Sequence, residues 1–401
     1  MTMQQKKHVL IAGGGIGGLT AALALLRRGF DVSVFEQAQE LKEIGAGVQL
    51  GPNGVRVLYE LGLEEPAKRL GVDAQAKEVR VWNTGKTWPL FNLGKESMDR
   101  YGVPYLMMHR ADLHSMLLEA VREIKPDACM VNSRVAGFEQ DADGVTLILQ
   151  DGRRIRGDVL VGADGLHSAT RKAMFGPDQP KFTGGCCWRG IIDIERLPEH
   201  LRRPVGVNWI GPNGHVILYP LRSGRLLNFV GHVERDDWAG ESWTEEGSVD
   251  ELRADYAGWH NDIQTIVGQI ETPYKWALFL REPLPQWTKG RVTLMGDACH
   301  ATLPYLAQGA NMAIEDGMVL ARALSQFDDV PEALQRYEKA RKERTTQIVR
   351  KSSENLGRFH NHALLNPDTA DDYVNTEWAS EKIRDRYEWI LSYDAVNVPL
   401  D

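Results

Sequence analysis

Apolar and polar positions repeat with two different periods along this chain, and the changes of period mark its elements. Residues 8–12, HVLIA, are a short apolar run of the kind a strand buried on both faces shows. LTAALALLRRG (19–29) follows at helical spacing, and DVSVFE (31–36) returns to a strand. Residues 75–108 show period-two alternation with interleaved aromatics, which predicts strands. HRADLHSMLLEAVREI (109–124) predicts an amphipathic helix with Leu113, Met116, Leu117 and Val121 on one face. Strands return in GVTLILQDGRRIRGDVLVGADG (144–165), with a hairpin turn at Asp151-Gly152. Residues 181–280 are strand-rich, as in HVILYPL, RLLNFVGHV and YKWALFL. From Arg291 the order is strand then helix: VTLMGDACH, then GANMAIEDGMVLARAL with Ala313, Ile314, Gly317, Leu320, Ala321 and Leu324 on one face. Residues 351–401 predict a polar segment with one amphipathic helix around TEWASEKIRDRYEWIL.

The junction of the first strand and helix carries Gly13, Gly15 and Gly18 in G-x-G-x-x-G spacing. The first glycine allows a tight turn, the second lets backbone approach a pyrophosphate, and the third lets the helix sit close to the strand. The helix N-terminus offers free N–H groups and a positive dipole end to phosphates. Glu36 ends the second strand 18 residues after Gly18, where a carboxylate accepts from ribose hydroxyls. An acid there favours FAD or NAD over NADP, whose 2′-phosphate it would repel. Glycine-rich turns are common, so the prediction of a dinucleotide site rests on strand, helix and acidic terminus together. The fold class is therefore α/β: a Rossmann-like domain (1–74, 109–180, 281–350) interleaved with a β-sheet domain (75–108, 181–280) and followed by a C-terminal helical segment (351–401).

Composition and charge narrow the function. Of 401 residues, 43% are hydrophobic and 25% charged, ordinary values for a globular protein. The net charge of −8 argues against a nucleic-acid partner and requires a locally basic pocket for any anionic substrate. The longest apolar run, Leu19–Leu26, is too short to span a bilayer, so no membrane insertion is expected. The first strand begins at residue 8, which leaves no room for a cleaved signal peptide. Cys129, Cys186, Cys187 and Cys299 lack C-x-x-C spacing, so neither a metal site nor a disulfide framework is indicated. The expectation is a cytoplasmic protein with reduced thiols.

Two later segments each place an acidic turn after an apolar strand: GDVLVGADGLHSATR (157–171) with Asp164-Gly165, and RVTLMGDACHATLPYLAQGANMAIEDG (291–317) with Gly296-Asp297. One such pair is an ordinary turn. Three motifs in this order resemble the flavoprotein aromatic hydroxylases, single-component FAD monooxygenases that share the para-hydroxybenzoate hydroxylase fold, over essentially the whole chain. Within them IGAGVQLGPNG, RYGVPYLMMHRADLH, GHVILYPLRSGRLLN, LPYLAQGANMAIED and RYEWILSYD are most similar to 3-hydroxybenzoate 6-hydroxylases, with salicylate hydroxylases next. Pyridine-ring relatives carry His at the position of Gln49. Pro304 stands where a 3-hydroxybenzoate 6-hydroxylase has a glutamine that is proposed to touch the substrate. The resemblance implies tight, non-covalent FAD, transient NADH (NADPH left open) and O2. It places Asp164 where FAD meets pyridine nucleotide, Asp297 on the ribityl chain, and Arg110 at the phosphate and ribityl region. It passes Leu306–Asn311 beside the flavin ring, with Gly309, Ala310 and Asn311 opening a helix whose positive end stabilises charge on the reduced ring. Gly296, Gln49 and Pro304 join the site by the same resemblance, and a homodimer is the candidate assembly.

The implied chemistry runs through a flavin C4a-hydroperoxide that attacks an electron-rich ring, so a base that takes a phenol's proton speeds attack ortho and para to it. His215 is the candidate base because imidazole titrates near working pH. His215, Ile217 and Tyr219 share one strand face at period two, which sets Tyr219 beside it as a donor. Arg189 and Arg222 are candidates to offset a substrate carboxylate; Cys299 and His300 read as structural. The expected reaction is 3-hydroxybenzoate to 2,5-dihydroxybenzoate (gentisate). The alternatives are salicylate to catechol and CO2, and a non-catalytic flavin-bound redox sensor. A plain NAD dehydrogenase leaves Gly296-Asp297 unexplained, and the W-x-W-x-I-P segment of flavin halogenases is missing.

Overall fold

The computed structural model describes residues 6–41, 46–235 and 245–401; Ile44 and Gly45 of the IGAGVQLGPNG segment lie outside them. The apolar run at residues 8–12 is the strand His8–Ala12, central in a six-stranded sheet ordered Thr288–Lys289, Val292–Leu294, Val159–Gly162, His8–Ala12, Asp31–Phe35, Cys129–Met130. From Val292–Leu294 onward every neighbouring pair is parallel. Helices cover the sheet, which is why Val9, Leu10, Ile11 and Ala12 are fully buried and the strand shows no alternation. The first helix, Ile16–Leu26, packs against the helix Gly309–Gln326. A Cβ on Gly317 would come 2.8 Å from the backbone N of Ala21, so only glycine permits that approach.

A second sheet has seven strands, ordered Tyr274–Leu280, Lys181–Asp193, Leu226–Glu234, Gly214–Leu221, Val205–Gly211, Ala76–Val81, Thr87–Asn92. Val205–Gly211 and Ala76–Val81 pair in parallel; the other pairs are antiparallel. Period two divides its faces. Val216 and Leu218 pack with Trp188, Trp209 and Phe229 under the helices Val249–Asp255 and Asn261–Gly268, while His215, Ile217 and Tyr219 face the first domain.

Two expectations need correction. Residues 75–108 are not strand throughout, because Gly94–Tyr101 is a helix. Its Lys95–Asp99 and Glu96–Arg100 pairs sit at helical i,i+4 spacing, and Gly102, at φ +73°, ends it in the left-handed conformation. The C-terminal segment is more helical than its pattern suggested. Val330–Phe359 runs unbroken past residue 350, and Pro367–Glu377 and Ser380–Leu391 follow as separate helices. The break falls at Trp378, whose ring stacks on Phe359 at 6.4 Å and meets Tyr373 edge-on, so burying the indole decides the turn.

Candidate active site

A cavity of about 310 Å³ lies where the second sheet faces the first domain. At its nucleotide end stand Gly15, Arg110, Gly296, Asp297, Gly309 and Ala310; at its sheet end stand His215, Tyr219, Gln49, Lys77, Arg189 and Pro304. Eleven of the seventeen residues singled out from sequence for catalysis or binding therefore line one space. Gly13, Gly18, Glu36, Asp164, Asn311 and Arg222 stand outside its lining.

Gly13 adopts φ +105°, and a Cβ there would strike the Ala163 carbonyl oxygen at 2.3 Å; one on Gly18 would strike the Gly13 carbonyl oxygen at 2.1 Å. A Cβ on Gly15, by contrast, would meet nothing within 4 Å, so bare backbone faces open space where a pyrophosphate would lie. Glu36 accepts from Gly14 N at 2.8 Å and Ala38 N at 2.9 Å, which fixes its carboxylate at the end of the strand Asp31–Phe35. Asp164 does not line the cavity. It accepts from Ser168 Oγ and from Thr170 N and Oγ1, holding the start of the helix Ala169–Phe175. Asn311 is fully buried, with its amide spent on Gly51, Gln49 and Ala307. Asp297 is exposed to the cavity at the start of the short helix Asp297–His300, and is the one carboxylate among the described lining residues. Open backbone, an 18-residue helix opening at Gly309 and Arg110 together fit a dinucleotide bearing a flavin.

At the sheet end, His215 is 1% exposed and its ring stacks on His232, centroids 4.2 Å apart. The stack follows from register, since His215 and His232 are cross-strand partners. Burial, then the His232 and His360 imidazoles, push the His215 pKa well below its usual value. His215 is thus neutral at working pH, which corrects the expectation that it titrates there. Burial also pushes the Tyr219 phenol well up, keeping it a donor. Gln49 Oε1 accepts from Tyr105 OH at 3.0 Å, and Lys77 Nζ lies 3.3 Å from the same hydroxyl. Arg222 is no carboxylate partner for a ligand: it grips Asp112 at 2.8 and 3.0 Å, outside the cavity. Arg189 lines the cavity with its guanidinium over Trp276. His300 is structural, as read, bonded to Asp316 at 2.6 Å.

A family model described as FAD binding domain matches residues 6–352. The 3-amino-4-hydroxybenzoate 2-monooxygenase PtnB3 of Streptomyces platensis is 39% identical, covering 98% of this chain and 98% of that protein. The 3-hydroxybenzoate 6-hydroxylase of Polaromonas naphthalenivorans is 38% identical, covering 97% and 96%. The chain belongs to the FAD-dependent aromatic hydroxylases. Solved structures agree with the fold of this hydroxylase. Klebsiella pneumoniae HpxO complexed with FAD and uric acid superposes with a TM-score of 0.84 at 27% identity, over 100% of this chain and 99% of that one. A salicylate hydroxylase substrate complex does so with 0.81 at 27%, over 97% and 96%. Among the described residues, no helix of the hydroxylase is long and apolar enough to cross a membrane, and no cluster of ligating side chains could hold a metal.

Sequence reasoning missed Lys77, Tyr105, His232 and His360. Only His232 carried a local signal. It lies on the strand after a short hairpin, and pairing Leu221 with Leu226 across that turn sets His232 opposite His215.

Proposed function

We propose that this hydroxylase converts 3-hydroxybenzoate to 2,5-dihydroxybenzoate, consuming NADH and O2 and releasing NAD+ and water. The carrying observation is charge: in a chain of net charge −8, the described residues of the cavity lining include Lys77, Arg110 and Arg189 against one carboxylate, Asp297. With Arg110 at the phosphate end, Lys77 and Arg189 remain at the sheet end for the carboxylate of an aromatic acid. Bound FAD supplies the redox chemistry, taking a hydride from NADH and delivering one oxygen atom of O2 to the ring.

The chain's own residues do the rest. Arg110, Asp297 and the backbone at Gly15 and Gly309 hold the cofactor, and Glu36 meets its ribose. Asp164 acts through the wall it braces. His215 turns Nε2, a buried atom without a partner among the described residues, toward the substrate hydroxyl. Accepting that proton raises electron density ortho and para to the oxygen. Tyr219 OH donates to the same oxygen as its charge grows. Pro304 and Gln49 close the ring's edges and exclude water.

A second reading, 3-amino-4-hydroxybenzoate, is favoured by the near full-length match to PtnB3. It also bears a carboxylate and a phenol, and the oxidised carbon in its name lies beside the carboxylate-bearing carbon, as carbon 6 of 3-hydroxybenzoate does. The test is NADH oxidation stimulated by each acid, with product identification. Gentisate supports the first reading and a 2-hydroxylated amino acid product the second. Catechol with one CO2 per NADH would make the enzyme a salicylate 1-hydroxylase. Absence of stimulation by every acid would leave the sensor.

A further inference from the structure

His215 is one end of a hydrogen-bonded chain that leaves the cavity. Its Nδ1 lies 2.7 Å from His360 Nε2, and His360 Nδ1 lies 2.7 Å from Glu234 Oε1. The side chain of His360 is 2% exposed, whereas that of Glu234 is 48% exposed. Glu234 and His360 line a second cavity of about 320 Å³. His232 and Tyr305 line both cavities and so stand between them. We propose that His215, His360 and Glu234 form a proton relay that carries the hydroxyl proton of the bound aromatic acid to solvent and returns it when product leaves. The relay rests on the reading of the substrate as a phenolic acid.

The hydrogen bonds assign the protons. Glu234 is held ionised by its hydrogen bond from His360, which lowers its pKa, so it is the acceptor. His360 Nδ1–H therefore donates to it, and His360 Nε2 accepts from His215 Nδ1–H. That leaves His215 Nε2 bare toward the substrate, in agreement with its lack of a partner among the described residues. In transfer, the substrate O–H bond breaks as an N–H forms at His215 Nε2. The His215 Nδ1–H bond breaks as one forms at His360 Nε2, and the His360 Nδ1 proton passes to Glu234 Oε1 and on to water. No electrons change hands. Both rings exchange tautomers and stay neutral, and reprotonation of the product hydroxyl runs the sequence backward and resets them.

Neutrality is what the surroundings demand. His215 is packed by His232 on one ring face, with Tyr305 and Phe359 at 5.3 and 4.9 Å. Cys187 Sγ lies 3.8 Å from His232 Nε2, Arg189 also acts on His232, and His362 acts on Glu234. Low polarity and the two imidazoles of His232 and His360 all oppose a stored charge on His215. A proton arriving there has to move on.

The test mixes FAD-loaded enzyme with 3-hydroxybenzoate, without NADH, in weak buffer containing a pH indicator. Perturbation of the flavin spectrum reports binding. The wild type should release up to one proton per acid bound. Glu234→Gln and His360→Ala should bind the acid within a few-fold of wild type yet release the proton about 10²-fold more slowly. Added imidazoles should restore release in His360→Ala at rates that rise with base strength, a response mere cavity filling does not give. Glu234 is a surface residue, so its variant keeps the fold. Wild-type release rates in both variants, or rescue independent of base strength, would overturn the relay. If no phenolic acid perturbs the flavin spectrum of the wild type, the substrate reading fails and the relay falls with it.

Discussion

Asn311 Oδ1 accepts the Gly51 N–H at 3.0 Å, joining residues 260 positions apart. Its Nδ2 donates to the carbonyls of Gln49 and Ala307 at 3.0 and 2.8 Å. Ala307 sits in the left-handed region at φ +53°, a conformation its own side chain does not favour, and the amide helps hold it there. One buried side chain thus fixes the strand that presents Gln49 and the turn that opens the Gly309 helix.

Asn311→Ala should leave the Gly51 N–H buried without its partner and destabilise the fold by about 1–3 kcal/mol. The same change loosens the turn at Ala307 that opens the Gly309 helix, which lines the proposed cofactor site. Thermal unfolding should show a lower Tm, and gel filtration should show partial loss of FAD. Wild-type values for both would mean the clamp is dispensable.

Lys77→Met should raise KM for the aromatic acid about ten- to hundredfold while kcat changes little. A charge-assisted bond is worth about 1.5–3 kcal/mol, and one made equally in ground and transition states acts on KM alone. Burial pulls the Lys77 pKa down to about 8, and among the described residues no carboxylate forms an ion pair with it. The ammonium form therefore prevails below pH 8 and is lost above it. Wild-type KM should climb as pH rises through about 8, and the Met variant should lack that limb. A parallel KM–pH curve in the variant would remove Lys77 from the substrate site.

How much of this was legible in the sequence depends on distance along the chain. Gly13, Gly15 and Gly18 act within one turn, and His215, Ile217 and Tyr219 within one strand, so period and spacing are enough to group them. Asn311, Lys77 and His360 have partners more than a hundred positions away, or partners set by sheet order, and no local pattern encodes those. The helix Gly94–Tyr101 was missed because flanking aromatics mimic a strand period. The break at Trp378 was missed because an indole that turns a chain to stack on Phe359 looks, in sequence, like one more apolar helix position. Asp164 shows the converse: its motif was plain, yet its carboxylate braces a helix through Ser168 and Thr170.

Glu36→Ala should weaken FAD binding at least tenfold, and Glu36→Gln less. The carboxylate accepts from both Gly14 N and Ala38 N, so alanine removes the acceptors that shape the turn as well as those the proposed site would offer to ribose. The glutamine carbonyl keeps one strong acceptor. Equilibrium dialysis of FAD against the three proteins measures the order. Equal affinities would make Glu36 a strand-end residue with no part in the cofactor site.

Stability should fall on the acid side in two separate windows. Burial pushes His109, His215 and His232 below the ordinary imidazole value of 6.5, His215 and His232 well below it. In the unfolded chain each takes up a proton as pH falls through about 6.5, while in the folded chain each does so only at lower pH. The unfolded state then binds more protons, and stability declines as pH drops below about 6.5, by about 1.4 kcal/mol per pH unit for each extra proton. Asp316 governs the lower window. Burial raises its pKa, but His300 and Arg341 outweigh burial and bring it from 3.8 down to about 2. Its contribution is complete above about pH 4 and is lost as pH falls toward 2. Calorimetry of the FAD-saturated enzyme between pH 8 and 5.5 should show Tm falling below about 6.5, and His232→Phe should flatten that fall because one imidazole no longer has to be kept neutral. A Tm independent of pH over that range would mean the histidine pair is hydrated and charged in the folded enzyme, and the neutral tautomers assigned to His215 and His360 would go with it.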